Sequence, residues 1–334
     1  MSLLQFFPQT QISLPPQCTL PYSCNFQHLL PHCNKSNAKK SIHSKTKPAK
    51  SVLCSSQQQQ RVEEHNEEEE EFHLLTSIRS SYNNIVILDT PKSLLLLLDS
   101  TNNVHSILNK GSKWTGSYWD EFATLPPVVP RGPIAIFGLG GGTAAHLMLE
   151  LWPSLLLEGW EIDEILIDKA RDYLGLSDLE KQNMAGGVLN VHIGDVFSSS
   201  VAIPGGYAGI IIDLFSDGKV LPQLQEAATW LELNNRLMPN GRFMVNCGAG
   251  EDGLSEINDA VSPNEDSSTD GTWELNATIK ALCKAFPGQV NWKKMPKSEG
   301  ENYLALTGPL TETATWSAVL PPELSSSVHQ WITC

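Results

Sequence analysis

From Leu74 onward the apolar residues come in short runs, and the spacing inside the runs alternates between strand-like and helix-like. Ile85-Val86-Ile87-Leu88, Ser93 to Asp99 and Val104 to Leu108 are punctuated by Thr90-Pro91-Lys92 and Thr101-Asn102-Asn103. Such runs and turn residues predict a small antiparallel β unit. Ser117 to Leu125 reads as a short helix stopped by Pro126-Pro127. A longer alternation follows: strand at Ile134–Phe137, helix at Thr143–Leu151, strand at Leu155–Ile162, helix at Asp163–Leu174, strands at Leu189–Ile193 and Ile210–Asp213. A helix from Pro222, a turn at Leu237–Gly241 and a strand at Phe243–Cys247 continue it. Thr272 is expected to cap a helix carrying Leu275, Ile279, Leu282 and Phe286. Val290–Trp292 and Tyr303–Leu306 are expected to pair as an antiparallel hairpin. Strand alternating with helix predicts an α/β, Rossmann-like, mostly parallel sheet.

The turn after the first of these parallel strands carries the candidate chemistry. Gly138-Leu139-Gly140-Gly141-Gly142 follows an apolar run, and Glu161-Ile162-Asp163 ends the next one. Glycines admit close backbone approach to a ligand, and a carboxylate at the second strand end can accept from ribose hydroxyls. Gly140-x-Gly142-x-x-Ala145 also satisfies a dinucleotide fingerprint, and a plain tight turn is a further reading. Two more acids end strands: Asp195 after Gly194, and Asp213. Each has the alternative of serving as a helix N-cap. Three carboxylates at three successive strand ends favour a ligand crevice at the carboxyl edge of the sheet.

Charge divides the chain. Met1 to Val62 contains no Asp or Glu but six lysines, with abundant Ser, Gln, Asn and Pro. Acid-poor, Ser-rich, basic composition reads as an organelle transit peptide over residues 1–54, plastid first and mitochondrion second because arginine is nearly absent. The net charge is −14 over 334 residues with 23 Lys+Arg and 37 Asp+Glu. Without the six leader lysines it becomes 17 − 37 = −20. So acidic a body argues against nucleic acid as a partner and suits a cationic one. No apolar run approaches the ~18 residues of a membrane-spanning helix, so no membrane partner is expected. Cys247, Cys283 and Cys334 are scattered, and no Cys/His cluster has zinc spacing. Reduced, unpaired thiols and no metal are therefore expected. His146 reads as a satisfied His, Trp160 and Trp273 as packing residues, and Lys293-Lys294 with Lys297 as a solvated turn.

The order Gly138-Leu139-Gly140-Gly141-Gly142, Glu161-Ile162-Asp163-Glu164, Gly194-Asp195 and Asp213-Leu214-Phe215-Ser216-Asp217 resembles the spermidine synthase group. These are polyamine aminopropyltransferases on the class I methyltransferase fold. Ser117-Tyr118-Trp119-Asp120 with Ala123-x-Leu125-Pro126 resembles the same group, and the resemblance covers Tyr82 to Cys247. It implies that Glu161 holds the ribose hydroxyls and Asp195 the adenine amine. It implies that Gly138, Gly140 and Gly142 pass beneath the nucleoside, that Asp213 is the catalytic acid position, and that Tyr118 and Asp217 face the acceptor. A homodimer is implied as well.

The chain also departs from the group. Gly141 stands where the family's loop carries an acid that anchors the aminopropyl ammonium, Trp119 stands for a Gln, and the second acid is displaced to Asp217. The expected main function is therefore an S-adenosylmethionine-binding, methyltransferase-like enzyme with an unknown small-molecule acceptor. The alternatives are an aminopropyltransferase using decarboxylated S-adenosylmethionine and an amine, and a non-catalytic nucleoside-binding protein. The expected organisation is a transit peptide at 1–54, an acidic linker at 55–73, a small β unit with a short helix at 74–127, a nucleoside-binding transferase domain at 128–310 with an acidic insertion at 250–271, and a C-terminal tail at 311–334.

Overall fold

A computed structural model describes residues 72–101, 103–249, 276–310 and 312–334. The transit segment, nearly all of the acidic linker and the insertion at 250–271 lie outside the described residues, as do Thr272, Trp273 and Leu275.

The first layer is a four-stranded antiparallel meander: β1 (His73–Arg79), β2 (Asn84–Asp89), β3 (Ser93–Leu97) and β4 (Ser106–Asn109), in that order. Three strands are legible as apolar runs. The fourth, β1, is not, because it is an edge strand with a mostly exposed face. α1 (Tyr118–Phe122) then leads into β5 (Ile134–Phe137).

From β5 the chain alternates as expected through α2 (Thr143–Leu151), β6 (Leu156–Glu161), α3 (Glu164–Tyr173), the short α4 (Leu176–Leu179), β7 (Val188–Ile193) and β8 (Tyr207–Ile212). A two-stranded hairpin, β9 (Phe215–Ser216) and β10 (Lys219–Val220), precedes α5 (Ala227–Asn234) and β11 (Leu237–Asn246). Pro222 opens a single 3-10 turn, Pro222–Gln225, rather than the helix itself. The turn expected at Leu237–Gly241 lies inside β11, where pairing with β8 slips between Leu237 and Arg242 and Asn240 takes φ 64°. α6 (Ala277–Ala285) is capped by Asn276, whose side chain accepts from Ile279 N at 3.0 Å.

β12 (Val290–Lys294) and β13 (Tyr303–Thr307) form the expected hairpin, and α7 (Thr313–Ala318), α8 (Pro322–Ser325) and β14 (Ile332–Thr333) follow. The large sheet has the order β14-β12-β13-β11-β8-β5-β6-β7. Pairing is parallel among β11, β8, β5, β6 and β7, and antiparallel from β11 to β13 and beyond. β5 and β8 are buried on both faces, which explains their unbroken apolar runs.

The C-terminal segment is more than a tail. Trp316, Leu320, Leu324, Val328 and Trp331 are buried in the core that also holds Trp119 and Phe122. Two sequence expectations fail here. Cys283 and Cys334 form a disulfide, because β14 pairs with β12 and returns the chain end to α6; 51 residues of separation hide the pair from the sequence. Cys247 remains a buried free thiol. Lys293 is buried against Glu121 at 2.6 Å rather than solvated, since alternate β12 residues face opposite sides and Lys293 faces α1. His146 donates to or accepts from its surroundings as expected, through Nε2 and Leu174 O at 2.8 Å. No helix among the described residues is long and apolar enough to cross a membrane.

Candidate active site

The parallel strands end at one edge, and their following loops open a cavity of about 740 Å³ there. That edge is where α/β sheets bind ligands. The N-terminal meander and the β12–β13 turn complete its walls. Glu161, Asp195 and Asp213 all line it, with Gly138 and Gly140, so the three acids expected to share a crevice do so.

Glu161 ends β6. Its Oε2 accepts from Gly140 N at 3.1 Å, and Oε1 accepts from Ile162 N at 2.9 Å and Asp163 N at 3.2 Å. Burial pushes its carboxyl above the usual range, against these amides. Oε1 is filled by its two amides, while Oε2, with one donor, keeps acceptor capacity. Asp195 follows β7; its Oδ1 takes Phe197 N at 2.9 Å, and the residue is exposed at the cavity mouth. The N-cap role offered as an alternative for these acids belongs to Asp163, which caps α3 through Leu166 N.

Asp213 follows β8 and is the most constrained of the three. Asn246 Nδ2 donates to Oδ1 at 2.9 Å; Tyr118 OH at 3.1 Å and Trp119 Nε1 at 3.3 Å donate to Oδ2. Burial raises its pKa to about 6, and the three donors oppose that rise. Tyr118 and Trp119 arrive on α1, while Asn246 ends β11 and is itself held by Asn302 Nδ2 at 2.9 Å.

Two nominated residues sit elsewhere. Gly142 is set back from the cavity walls; it takes φ 86° as the N-cap of α2, facing Leu176. Asp217 occupies the β9–β10 turn at φ 49°, exposed, with Gly218 at φ 72° beside it. Two successive positive φ values suit a two-residue hairpin, so Asp217 shapes the turn, and it is not among the lining residues.

The structure adds Tyr82 and Asn83 from the β1–β2 turn, Trp160, Asn246, Glu301 and Asn302 to the walls. Asn246 could have been found, because it ends a parallel strand at the same edge as the acids. Trp160 reaches the cavity from within β6, and the others reach it from turns without a sequence signature.

Gly141 is closed to any side chain. A Cβ there would lie 2.5 Å from Leu174 Cδ1 and 2.8 Å from Ser106 Cβ. Ser106 Oγ also accepts from Gly141 N at 2.8 Å. An acid at position 141 would therefore have to displace Leu174 or Ser106.

Charge at the walls is one-sided. Among the described lining residues Glu161, Asp195, Asp213 and Glu301 are acids, and there is no Lys or Arg. Burial lowers the pKa of His105, the one His there. Among the described residues no three His, Cys, Asp or Glu groups converge as a metal site.

The central, mostly parallel sheet closed by an antiparallel hairpin, with a small antiparallel sheet in front, gives this chain a fold like that of solved spermidine synthases. A probable polyamine aminopropyl transferase of Bifidobacterium longum (strain NCC 2705) is 25% identical over 182 residues, covering 54% of this chain and 39% of that protein. The match thus spans less than half of that relative's length. A probable spermidine synthase from Corynebacterium glutamicum ATCC 13032 superposes with a TM-score of 0.52 at 14% identity, covering 73% of this chain and 86% of that one. Spermidine synthase from Thermotoga maritima gives 0.50 at 17% identity, covering 75% and 77%. These two likenesses concern the fold. No protein-family model matches the chain.

Proposed function

We propose that the protein transfers an aminopropyl group from decarboxylated S-adenosylmethionine to a small amine, in preference to the methyl transfer expected from the acid-less loop. The observation that carries this is the charge of the cavity: among the described residues four carboxylates line it and no Lys or Arg does. A donor bearing its own carboxylate would meet only like charge there, whereas a decarboxylated donor is wholly cationic. The similarity to a probable polyamine aminopropyl transferase supports the same choice.

The cavity fits such a donor. Its volume lies within the ~300–1,000 Å³ of small-molecule sites. Glu161 can accept from the ribose hydroxyls and Asp195 from the adenine amine, while Gly138 and Gly140 leave room for the nucleoside. The acceptor nitrogen attacks the carbon next to the sulfonium. A carbon–nitrogen bond forms, the carbon–sulfur bond breaks, and its electron pair neutralises the sulfur as a thioether. The new ammonium releases one proton, which Asp213 can take and pass to solvent. Tyr118, Trp119 and Asn246 fix the Asp213 carboxylate, so that alignment rather than strong basicity supplies much of the rate. The N-terminal residues 1–54 serve in this proposal as a plastid address, on composition alone.

Calorimetry with both nucleosides, followed by mass spectrometry of the products, tests the proposal. Tight binding of the decarboxylated donor and thioether formation with an amine are expected. Methyl transfer from S-adenosylmethionine, or binding of neither nucleoside by folded protein, would overturn it. Asp213→Asn should lower turnover by about 10²–10⁴-fold while leaving donor binding intact.

A further inference from the structure

Asp163 is a carboxylate that the proposed reaction leaves without a task, and it is only 1% exposed, one residue past the cavity wall at Ile162. Its donors are all neutral. Oδ1 accepts from Leu166 N at 3.3 Å and so caps α3. Oδ2 accepts from Ser80 Oγ and from Asn83 Nδ2 at 2.7 Å. Ser80 and Asn83 belong to the β1–β2 turn, far upstream in the chain. Capping alone does not account for a buried charge here, because Ser, Thr or Asn would cap α3 without one.

The hydrogen bonds inside the turn call for an acceptor at this spot. Ser80 Oγ accepts from Tyr82 N at 3.0 Å and from Asn83 N at 2.8 Å, which leaves its proton for an outside partner. An amide at position 163 has one oxygen and can serve the turn or the helix. A carboxylate has two and serves both. The same turn supplies Tyr82 and Asn83 to the cavity wall, which also includes Glu161 and Ile162. Asp163 N in turn donates to Glu161 Oε1 at 3.2 Å. Asp213 is held by other elements, α1 and β11.

We infer that Asp163 is a positioning residue that latches the β1–β2 turn onto the nucleoside half of the cavity, so that the N-terminal meander completes the wall around the donor. Its part in donor binding rests on the aminopropyl-transfer proposal; the latch itself does not. Asp163 is not a lining residue, so it acts through the turn and through Glu161. Releasing the turn therefore weakens donor binding and leaves the transfer step at Asp213 in place.

Hydrogen exchange read by mass spectrometry, on the full chain without donor, tests the latch. Calorimetry and steady-state assays with decarboxylated S-adenosylmethionine test its part in binding. Asp163→Ser can still cap α3 but is too short to reach the turn. Peptides over residues 78–86 should exchange at least about tenfold faster in this variant, with α3 protected as in the wild type. The donor Kd should rise about tenfold, with kcat within about twofold. Asp163→Asn is isosteric and guards against a folding failure of the serine variant. With one oxygen for two tasks, it should expose either the turn or the start of α3 to faster exchange. Wild-type exchange of the turn in Asp163→Ser, or of both segments in Asp163→Asn, overturns the latch. A released turn with unchanged donor affinity, or an equal loss in kcat, overturns the positioning role alone. Folded wild type that binds no donor overturns the aminopropyl proposal and the positioning role with it, while the exchange result still decides the latch.

Discussion

Gly138 and Asp213 are in backbone contact: a Cβ on the glycine would land on the Asp213 carbonyl. The glycine also sits at φ 85°, where a side chain is strained. The end of β5 therefore presses directly on the residue at the end of β8 that the proposed chemistry uses. Gly138→Ala must push the two loops apart. It should lose about 1–3 kcal/mol of stability and most of the transfer activity, measured by urea denaturation and product formation. Wild-type turnover in this variant would show that the contact is slack.

Burial sets the pH response of Asp213, and Trp119 is the smallest of the three donors that oppose it. The carboxyl has a pKa raised to about 6 by burial, and hydrogen bonds from Asn246, Tyr118 and Trp119 hold it down from a higher value. In the proposed reaction the ionised form is the competent one, so kcat/KM should fall as pH drops through about 6. Trp119→Phe removes a donor to the charged form and raises the pKa further. Its acid limb should move upward by about half to one unit in a pH–rate profile. A limb that stays in place would separate Trp119 from the ionisation.

Restoring an acid to the glycine loop should not restore an anchor. The Cβ at position 141 meets Leu174 and Ser106 rather than open cavity. Gly141→Asp should cost about 1–3 kcal/mol, seen as a lower melting temperature, and should not tighten donor binding in calorimetry.

The buried Lys293–Glu121 pair fastens α1, which carries Tyr118 and Trp119, to β12. Burial lowers the Lys293 pKa and the Glu121 carboxylate opposes that shift. Ser327 donates to Glu121, and Trp331 lies under the Lys293 ammonium at 5.0 Å. Lys293→Met leaves Glu121 as an uncompensated buried charge and should cost about 3–5 kcal/mol in urea denaturation. Adding Glu121→Leu should recover most of that loss; equal or greater destabilisation in the double variant would show that the pair itself, not the stranded charge, matters.

Periodicity and punctuation made the parallel strands and their helices legible, because β5 and β8 are buried on both faces and read as unbroken apolar runs. Glu161, Asp195 and Asp213 were legible because each ends such a run. β1 was not, since an edge strand with a mostly exposed face carries no apolar signal. Asp217 misled for a related reason: acid spacing resembles a ligand set, but positive φ at 217 and 218 makes the pair a hairpin turn.

The sequence by itself determined the strand–helix alternation, the glycine turn and the three acids at strand ends, since burial and backbone freedom are encoded by local residue type. Only the tertiary structure decided what surrounds them. Tyr118, Trp119, Asn246 and Asn302 meet at Asp213, Ser106 closes position 141, Lys293 is buried, and Cys283 pairs with Cys334. Each joins segments far apart in the chain, and strand order and packing, not local propensity, bring them within reach.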